Sequence, residues 1–317
     1  MAQITDQISL AVATLNRGEL VAMPTETVYG LAADASNEEA VARVFALKGR
    51  PATNPLIVHL AETSWVHDWA AEAGPDAEAL MAAFWPGPLT LVLPAKANVS
   101  RAVTAGQDTV ALRVPAHPQA LALLEEFGRA LVAPSANKYM SISPTSSDHV
   151  ARQFAGDELL ILEGGNCEVG LESTIVALLP GDEPRLLRPG MVSVASLEAV
   201  LGKAVVQQSG GVVAPGQHHK HYSPGLPCFR YGADTDVSHL YQASDIGWIF
   251  CGNAVPVSGK VIELGANPDL YAQGLYDALY RLDHDALSAI YIAEPPKGPE
   301  WQAVHNRLER AAKPLSS

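Results

Sequence analysis

Glu19-Leu20-Val21-Ala22-Met23-Pro24-Thr25-Glu26-Thr27-Val28-Tyr29-Gly30-Leu31-Ala32-Ala33 reads as two apolar strands, Glu19–Met23 and Val28–Ala33, joined by a Pro-Thr-Glu-Thr turn. Four residues leave no room for the crossover helix that parallel neighbours require. The sheet holding these strands is therefore expected to be mixed, not purely parallel.

Working outward, the segment before them, Thr5–Asn16, has the spacing of an amphipathic helix and stops before Gly18. Downstream, Asn37 is placed to cap a helix through Leu47, which Lys48-Gly49-Arg50-Pro51 ends because proline cannot continue it. Leu56–Leu60, Leu89–Leu93, Thr109–Val114, Ala130–Ala133, Thr174–Leu179 and Arg185–Arg188 read as further strands. Asp76–Phe84 and Pro118–Phe127 read as helices, and Thr145 opens another to Phe154 with Asp148 completing a capping box. Residues 207–227 lose all apolar periodicity and carry Gly, Pro and a run of histidines, the composition of a linker. Beyond it Asp245–Cys251, Lys260–Leu264, Pro268–Leu282, Ala289–Ala293 and Pro299–Ala312 alternate strand and helix, the pattern of a small parallel sheet covered by helices. The reading is an α/β chain in three parts: a mixed-sheet domain at 1–206, a linker at 207–227 and a Rossmann-like α/β/α domain at 228–317.

The 317 residues, 48% hydrophobic and 17% charged, suit two globular domains. No apolar run approaches the ~18 residues of a membrane span, and the N-terminus lacks the pattern of a signal peptide. Three distant cysteines (167, 228, 251) exclude a disulfide framework and a Cys-x-x-Cys zinc site, which points to a cytoplasmic setting. The net charge is −13, and residues 1–205 alone hold 13 basic against 23 acidic side chains. Stable nucleic-acid binding is not expected of such a chain, because phosphate neutralisation supplies most non-specific affinity. P-loop, dinucleotide, zincin and nucleophile-elbow motifs are all missing from the sequence.

What remains is a set of polar junctions punctuated by proline. Lys48-Gly49-Arg50-Pro51-Ala52-Thr53-Asn54-Pro55 collects two cations and an amide in one stiff loop suited to a polyphosphate. The same pattern also serves a helix C-terminus whose cations complement the dipole. Arg113 and Arg188 each interrupt an apolar strand, so each needs a buried anion, either a structural carboxylate or an anionic substrate. Thr25–Thr27, Ser135–Asn137 and Glu172–Thr174 add hydroxyl-rich turns, and His59 closes a strand. His218, His219 and His221 lack acidic or Cys companions at ligand spacing, and no functional metal site is expected there.

These junctions occur in a recognisable order. Pro24-Thr-Glu-Thr-Val-Tyr-Gly-Leu31, Lys48-x-Arg-Pro-x-x-x-Pro-Leu-x-x-His59, Trp85-Pro-Gly-Pro-Leu-Thr90, Arg113-x-Pro115, Pro134-Ser-Ala-Asn137, Ser143-Pro-Thr145, Ser173-Thr-Ile175 and Arg188-Pro-Gly190 resemble the YrdC-like domain. With Ala214-Pro-Gly216, His221-Tyr-Ser-Pro224 and a small α/β domain, the whole chain is similar to the long, two-domain threonylcarbamoyl-AMP synthase family. The resemblance implies a twisted sheet with a concave, electropositive cavity and a linker lying over it. It implies condensation of L-threonine, bicarbonate (or CO2) and ATP into threonylcarbamoyl-AMP and pyrophosphate, with Mg2+ held mainly through the ATP phosphates. The product is implied to pass to a separate tRNA-modifying transferase complex.

Carried over by motif, Thr27, His59, Arg113, Ala133 and Ser173 resemble the family's threonine contacts. Lys48, Arg50, Asn54, Thr109, Ser135, Ser143, Arg188 and Tyr222 resemble its ATP contacts, Lys48 and Arg50 being the catalytic pair. One departure is Tyr139-Met140, where the family usually has Ser-Gly. Two rival readings keep the fold but change the function: an RNA-binding or ribosome-maturation module, and a carbamoyl-phosphate enzyme. The Cys-rich companions of the latter are not in this chain.

Overall fold

The computed structural model describes residues 1–207, 222–252, 257–283 and 286–315. Most of the predicted linker, 208–221, lies outside the described residues, and with it Ala214-Pro215-Gly216 and the three histidines. The chain divides into two compact units, Met1–Tyr139 with Pro144–Gln217, and Met140–Ser143 with His218–Ser317.

In the first unit the strands are β1 (Gln3–Thr5), β2 (Val21–Met23), β3 (Gly30–Asp34), β4 (Ile57–His59), β5 (Leu89–Pro94), β6 (Thr109–Arg113), β7 (Leu131–Val132), β8 (Leu160–Leu162), β9 (Thr174–Ala177) and β10 (Arg185–Arg188). They form one sheet in the order β1-β8-β2-β3-β7-β4-β6-β5-β9-β10. The β2–β3 pair is antiparallel, while β4–β6 and β5–β9 are parallel, so the sheet is mixed as the short turns require. The helices are α1 (Ile8–Asn16), α2 (Glu38–Lys48), α3 (Val66–Trp69), α4 (Pro75–Phe84), α5 (Arg101–Thr104), α6 (Pro118–Phe127), α7 (Ser147–Gln153) and α8 (Val194–Leu201).

Local chemistry explains their limits. Asn37 accepts hydrogen bonds from the Glu39 and Ala40 amides at the start of α2. The helix ends on Gly49 at φ 64°, a left-handed cap that glycine adopts without steric cost, so the stop precedes Pro51. The cap of α7 is Ser146, which accepts from the His149 amide at 3.2 Å; Thr145 instead is buried, its hydroxyl 3.3 Å from the His149 ring. The expected Thr145 capping box is corrected accordingly. The first helix begins at Ile8 and not at Thr5, because Thr5 ends strand β1, which forms by pairing in parallel with the distant β8. Its pairing is non-local and its three residues show no alternation of burial.

The two faces of this sheet differ. Val58, Leu112, Leu91 and Val176 enter the largest core with Leu31, Val44 and Leu80. Residues one position along each strand point the other way. On that second face, α1 and α6 cover Met23, Leu131 and Ala133, with Leu15 and Leu124 contributed by the helices. Next to them is a small cluster of Ile57, Val92, Ala111 and Ile175.

The second unit carries β11 (Cys228–Tyr231), β12 (Ile246–Phe250), β13 (Lys260–Glu263), β14 (Ala289–Ala293) and β15 (Lys313–Pro314), with α9 (Pro268–Leu282) and α10 (Gln302–Ala311). All pairings are parallel, in the order β13-β12-β14-β11-β15. Trp248 sits at its centre, stacked on Phe250 at 6.0 Å and beside Tyr291 at 5.3 Å. Among the described residues no helix is long and apolar enough to cross a membrane.

Candidate active site

The second face of the first sheet carries a polar row as well as its small apolar cluster. His59 ends β4 directly opposite Arg113 at the end of β6. Thr90 on β5 is the antiparallel neighbour of Arg113, since Leu91 pairs with Leu112. The Thr90 hydroxyl lies 2.7 Å from that of Ser173, just before β9. Arg188 on β10 donates from Nε to the Ser173 carbonyl at 3.0 Å and from Nη2 to its hydroxyl at 3.1 Å. All five side chains are buried. Alternation along the strands places His59 with Ile57, Arg113 with Ala111 and Thr109, and Ser173 with Ile175.

Arg113 is the centre of the row. Its Nη1 donates to Thr27 Oγ1 at 2.9 Å and its Nε to the Gly87 carbonyl at 3.2 Å. Nη2 lies 2.7 Å from Glu26 Oε1, an ion contact that is not an aligned hydrogen bond. The sequence left its partner open between a protein carboxylate and a substrate; the structure supplies Glu26. A guanidinium has five N–H groups, so three are not engaged in these hydrogen bonds, two of them on the Nη2 that faces Glu26. Gly87 is needed here, because a Cβ would come within 2.3 Å of the Phe84 carbonyl.

His59 Nδ1 lies 3.2 Å from the Ile57 carbonyl. A carbonyl only accepts, so Nδ1 carries the proton and Nε2 is left as an acceptor. Burial, and then the charge of Arg113, push its pKa down to about 3. The ring is neutral at neutral pH and serves as a hydrogen-bond partner, not as a cation.

A second centre forms around Lys48, the last residue of α2. Its side chain leaves the helix and donates Nζ to the carbonyls of Ser135 and Asn137, the latter at 2.6 Å. Ser135 is held there because it bridges to Gly30, with the Leu31 amide bonded to the Pro134 carbonyl. The Tyr139 amide donates back to the Lys48 carbonyl at 2.8 Å, and Lys138 reaches the Leu47 carbonyl and Asp157. Burial, followed by the charges of Arg50 and Lys138, holds the Lys48 ammonium well below the ordinary lysine value. The helix-dipole alternative for Lys48 is thus set aside, since the side chain is buried against another loop. Arg50 donates from Nη2 to the Pro55 carbonyl at 3.0 Å, and both Arg50 and the nearby Asn54 are buried.

The remaining predicted residues fall as follows. Thr109 begins β6, level with Pro55 by the β4–β6 register and four residues from Arg113 on the same face. The Ala133 amide donates to the Ile57 carbonyl at 3.2 Å, on the edge of the same face. Ser143 and Tyr222 belong to the second unit. There the Ser223 amide, next to Tyr222, donates to the Met140 carbonyl at 3.0 Å, and the Tyr280 hydroxyl donates to the Ile142 carbonyl at 2.8 Å. Tyr222 is buried against Tyr276, with the Arg307 guanidinium 5.5 Å from its ring.

Three contributors escape a motif reading by type alone: Glu26, Thr90 and the carbonyl of Asn137. Glu26 carried one usable signal, a charge between two threonines in a turn flanked by apolar strands. No group of three or more His, Cys, Asp or Glu side chains fit to hold a metal occurs among the described residues. The buried cations and hydroxyls suit an anionic ligand.

Residues 13–190 match the Sua5–YciO–YrdC family model, described as telomere recombination, and residues 192–313 match the threonylcarbamoyl-AMP synthase C-terminal domain. The chain is 39% identical to the threonylcarbamoyl-AMP synthase of Bacillus subtilis, over 96% of this chain and 93% of the relative. It is 39% identical to that of Pyrococcus abyssi, over 96% of this chain and 94% of the relative. The fold is similar to the crystal structure of P. abyssi Sua5 complexed with L-threonine, at TM-score 0.88, 36% identity and complete coverage of both chains.

Proposed function

The chain belongs to the Sua5–YciO–YrdC family in the form that carries the threonylcarbamoyl-AMP synthase C-terminal domain, and on that premise we propose that it makes threonylcarbamoyl-AMP and pyrophosphate from L-threonine, bicarbonate and ATP. It acts as a transferase, and specifically as a nucleotidyltransferase.

One observation carries this reading. A buried row of cation and hydroxyl groups (His59, Arg113, Thr90, Ser173, Arg188) lies on one sheet face in the unit that also buries Lys48 and Arg50. Arg113 receives the threonine carboxylate with its remaining N–H groups. Thr27, the His59 Nε2 acceptor and Ser173 take up the hydroxyl and amine, and Ala133 closes the wall. Lys48, Arg50, Asn54, Ser135 and Arg188 hold the triphosphate, with Thr109 alongside; Ser143 and Tyr222 are nucleotide contacts by resemblance of motif. A buried ammonium bonded to carbonyl oxygens is electrostatically unfinished, and a phosphate supplies the missing charge.

Two anions must approach each other in this reaction. After the amine is carboxylated, a carbamate oxygen attacks the α-phosphorus in line and pyrophosphate leaves. The chain's contribution is positioning and charge neutralisation by Lys48, Arg50 and Arg113. Mg2+ held through the ATP phosphates would supply further neutralisation of the triphosphate. The adenylate is then consumed by a separate transferase that modifies tRNA. Buried cations cannot reach the backbone of a macromolecule, so the RNA-binding alternative is not favoured.

The test is pyrophosphate release from purified, folded protein with ATP, Mg2+ and bicarbonate. We expect release to depend on threonine; release that ignores threonine, or none at all, sinks the proposal.

A further inference from the structure

Glu26 is a buried carboxylate, 4% exposed, in the turn between β2 and β3. Its backbone carbonyl is tied to the Val169 amide at 2.7 Å, which fixes the residue in place. The side chain is less settled. Oε1 approaches Arg113 Nη2 at 2.7 Å, yet neither carboxylate oxygen accepts an aligned hydrogen bond among the described residues. An ionised carboxylate offers about four lone-pair sites, and leaving them without donors in a buried setting is expensive. Arg113 offsets the charge but does not satisfy the geometry, because the pair is not the parallel two-point fork that arginine and carboxylate prefer.

The threonine site proposed above gives this arrangement a use. Free threonine is a zwitterion, and the pair Arg113–Glu26 is its mirror: one buried cation and one buried anion, in contact and summing to zero. We propose that Glu26 is the counter-charge for the amino group of the substrate, and so the residue that makes the site require a free α-amine. Threonine inserts by exchange, its carboxylate taking the remaining N–H groups of Arg113 and its ammonium donating to the oxygens of Glu26. The inference rests on the threonine reading and adds to it which residue reads the amine end.

A carboxylate that only clamps Arg113 would look similar in the empty protein, so the test must separate charge reading from clamping. Binding of L-threonine and of 3-hydroxybutyrate, which is threonine without its amino group, is measured by calorimetry on the full chain and on Glu26→Gln. Wild-type protein is expected to prefer threonine by about tenfold or more, the scale of a buried charge-assisted hydrogen bond. In Glu26→Gln the site carries an unbalanced Arg113 cation, so the preference should vanish or reverse in favour of the monoanion. A folded Glu26→Gln protein that keeps the wild-type ratio overturns the proposal and leaves Glu26 as a clamp. Where that variant does not fold, wild-type protein decides alone: threonine binding no tighter than 3-hydroxybutyrate rejects the role of Glu26. Wild-type protein that binds neither compound rejects the threonine site itself.

Discussion

The two sheets of this protein bury opposite things. In the first unit one face holds His59, Arg113, Thr90, Ser173 and Arg188, each tied to a backbone or side-chain partner. In the second unit the corresponding space is aromatic: Trp248 packs among Tyr231, Tyr241, Phe250 and Tyr291. Among its described residues the one buried charge is Arg307, set against Tyr222. Aromatic contact stabilises a fold outright, whereas a buried guanidinium roughly breaks even at best. On the proposed function this face is organised around a ligand, and substitutions in the two units should then separate activity from stability. The largest effect belongs to the first unit. Arg113→Ala and Arg50→Ala should each lower turnover about ten-thousandfold, some 5 kcal/mol of transition-state stabilisation. Steady-state kinetics should show the first acting through threonine and the second through ATP. Near-normal turnover in either would erase the contrast between the sheets.

The reverse result is expected from Trp248→Ala. Removing this fully buried ring opens a large cavity and should cost about 3–4 kcal/mol of stability in urea titrations. Threonine affinity of the protein that remains folded should stay near the wild-type value. A variant with full stability would mean that the aromatic cluster is looser than its geometry implies.

A smaller effect comes from pH. His59 has its pKa depressed from 6.5 to about 3, chiefly by burial. Between those values the unfolded chain holds a proton that the folded chain does not. Stability attributable to His59 therefore rises with pH through this window, is complete above 6.5, and is lost on acidification, at a slope of up to about 1.4 kcal/mol per pH unit. Urea midpoints measured from pH 4 to 7 should fall less steeply in His59→Gln than in wild type. Parallel curves would show that the ring is accessible to protons after all.

Much of this contrast was legible in the sequence because it is local. Short turns announced a mixed sheet, and strands interleaved with helices announced the parallel one; α6, α9, β10 and β14 fall at the predicted residues. Most of what escaped is non-local, the exception being α8, a locally capped helix between Ser193 and Gly202. Strands β1, β8 and β11 are three or four residues long and are defined by partners far along the chain. In the site, arginines inside apolar strands flagged themselves by their cost of burial, but the choice of Glu26 over a substrate as the partner of Arg113 is a matter of three-dimensional contact. Nor could composition reveal that Lys48 folds back onto the carbonyls of Ser135 and Asn137, since a carbonyl belongs to every residue.

The departure at Tyr139-Met140 gives the finest test of the division between units. The segment Met140–Ser143 belongs to the second unit, although the residues on either side of it belong to the first. Met140 makes that change of allegiance at φ 70°, the left-handed region where the usual glycine of the family is at ease and a side chain is not. Met140→Gly alone would mix relief of that strain with loss of a half-buried side chain. The comparison of Met140→Gly with Met140→Ala removes the ambiguity, since both lose the side chain and only alanine keeps the steric penalty. The glycine variant should be the more stable by about 1 kcal/mol in thermal or urea unfolding. Equal stabilities would mean that the crossing into the second unit is unstrained, and that methionine replaces glycine there at no conformational cost.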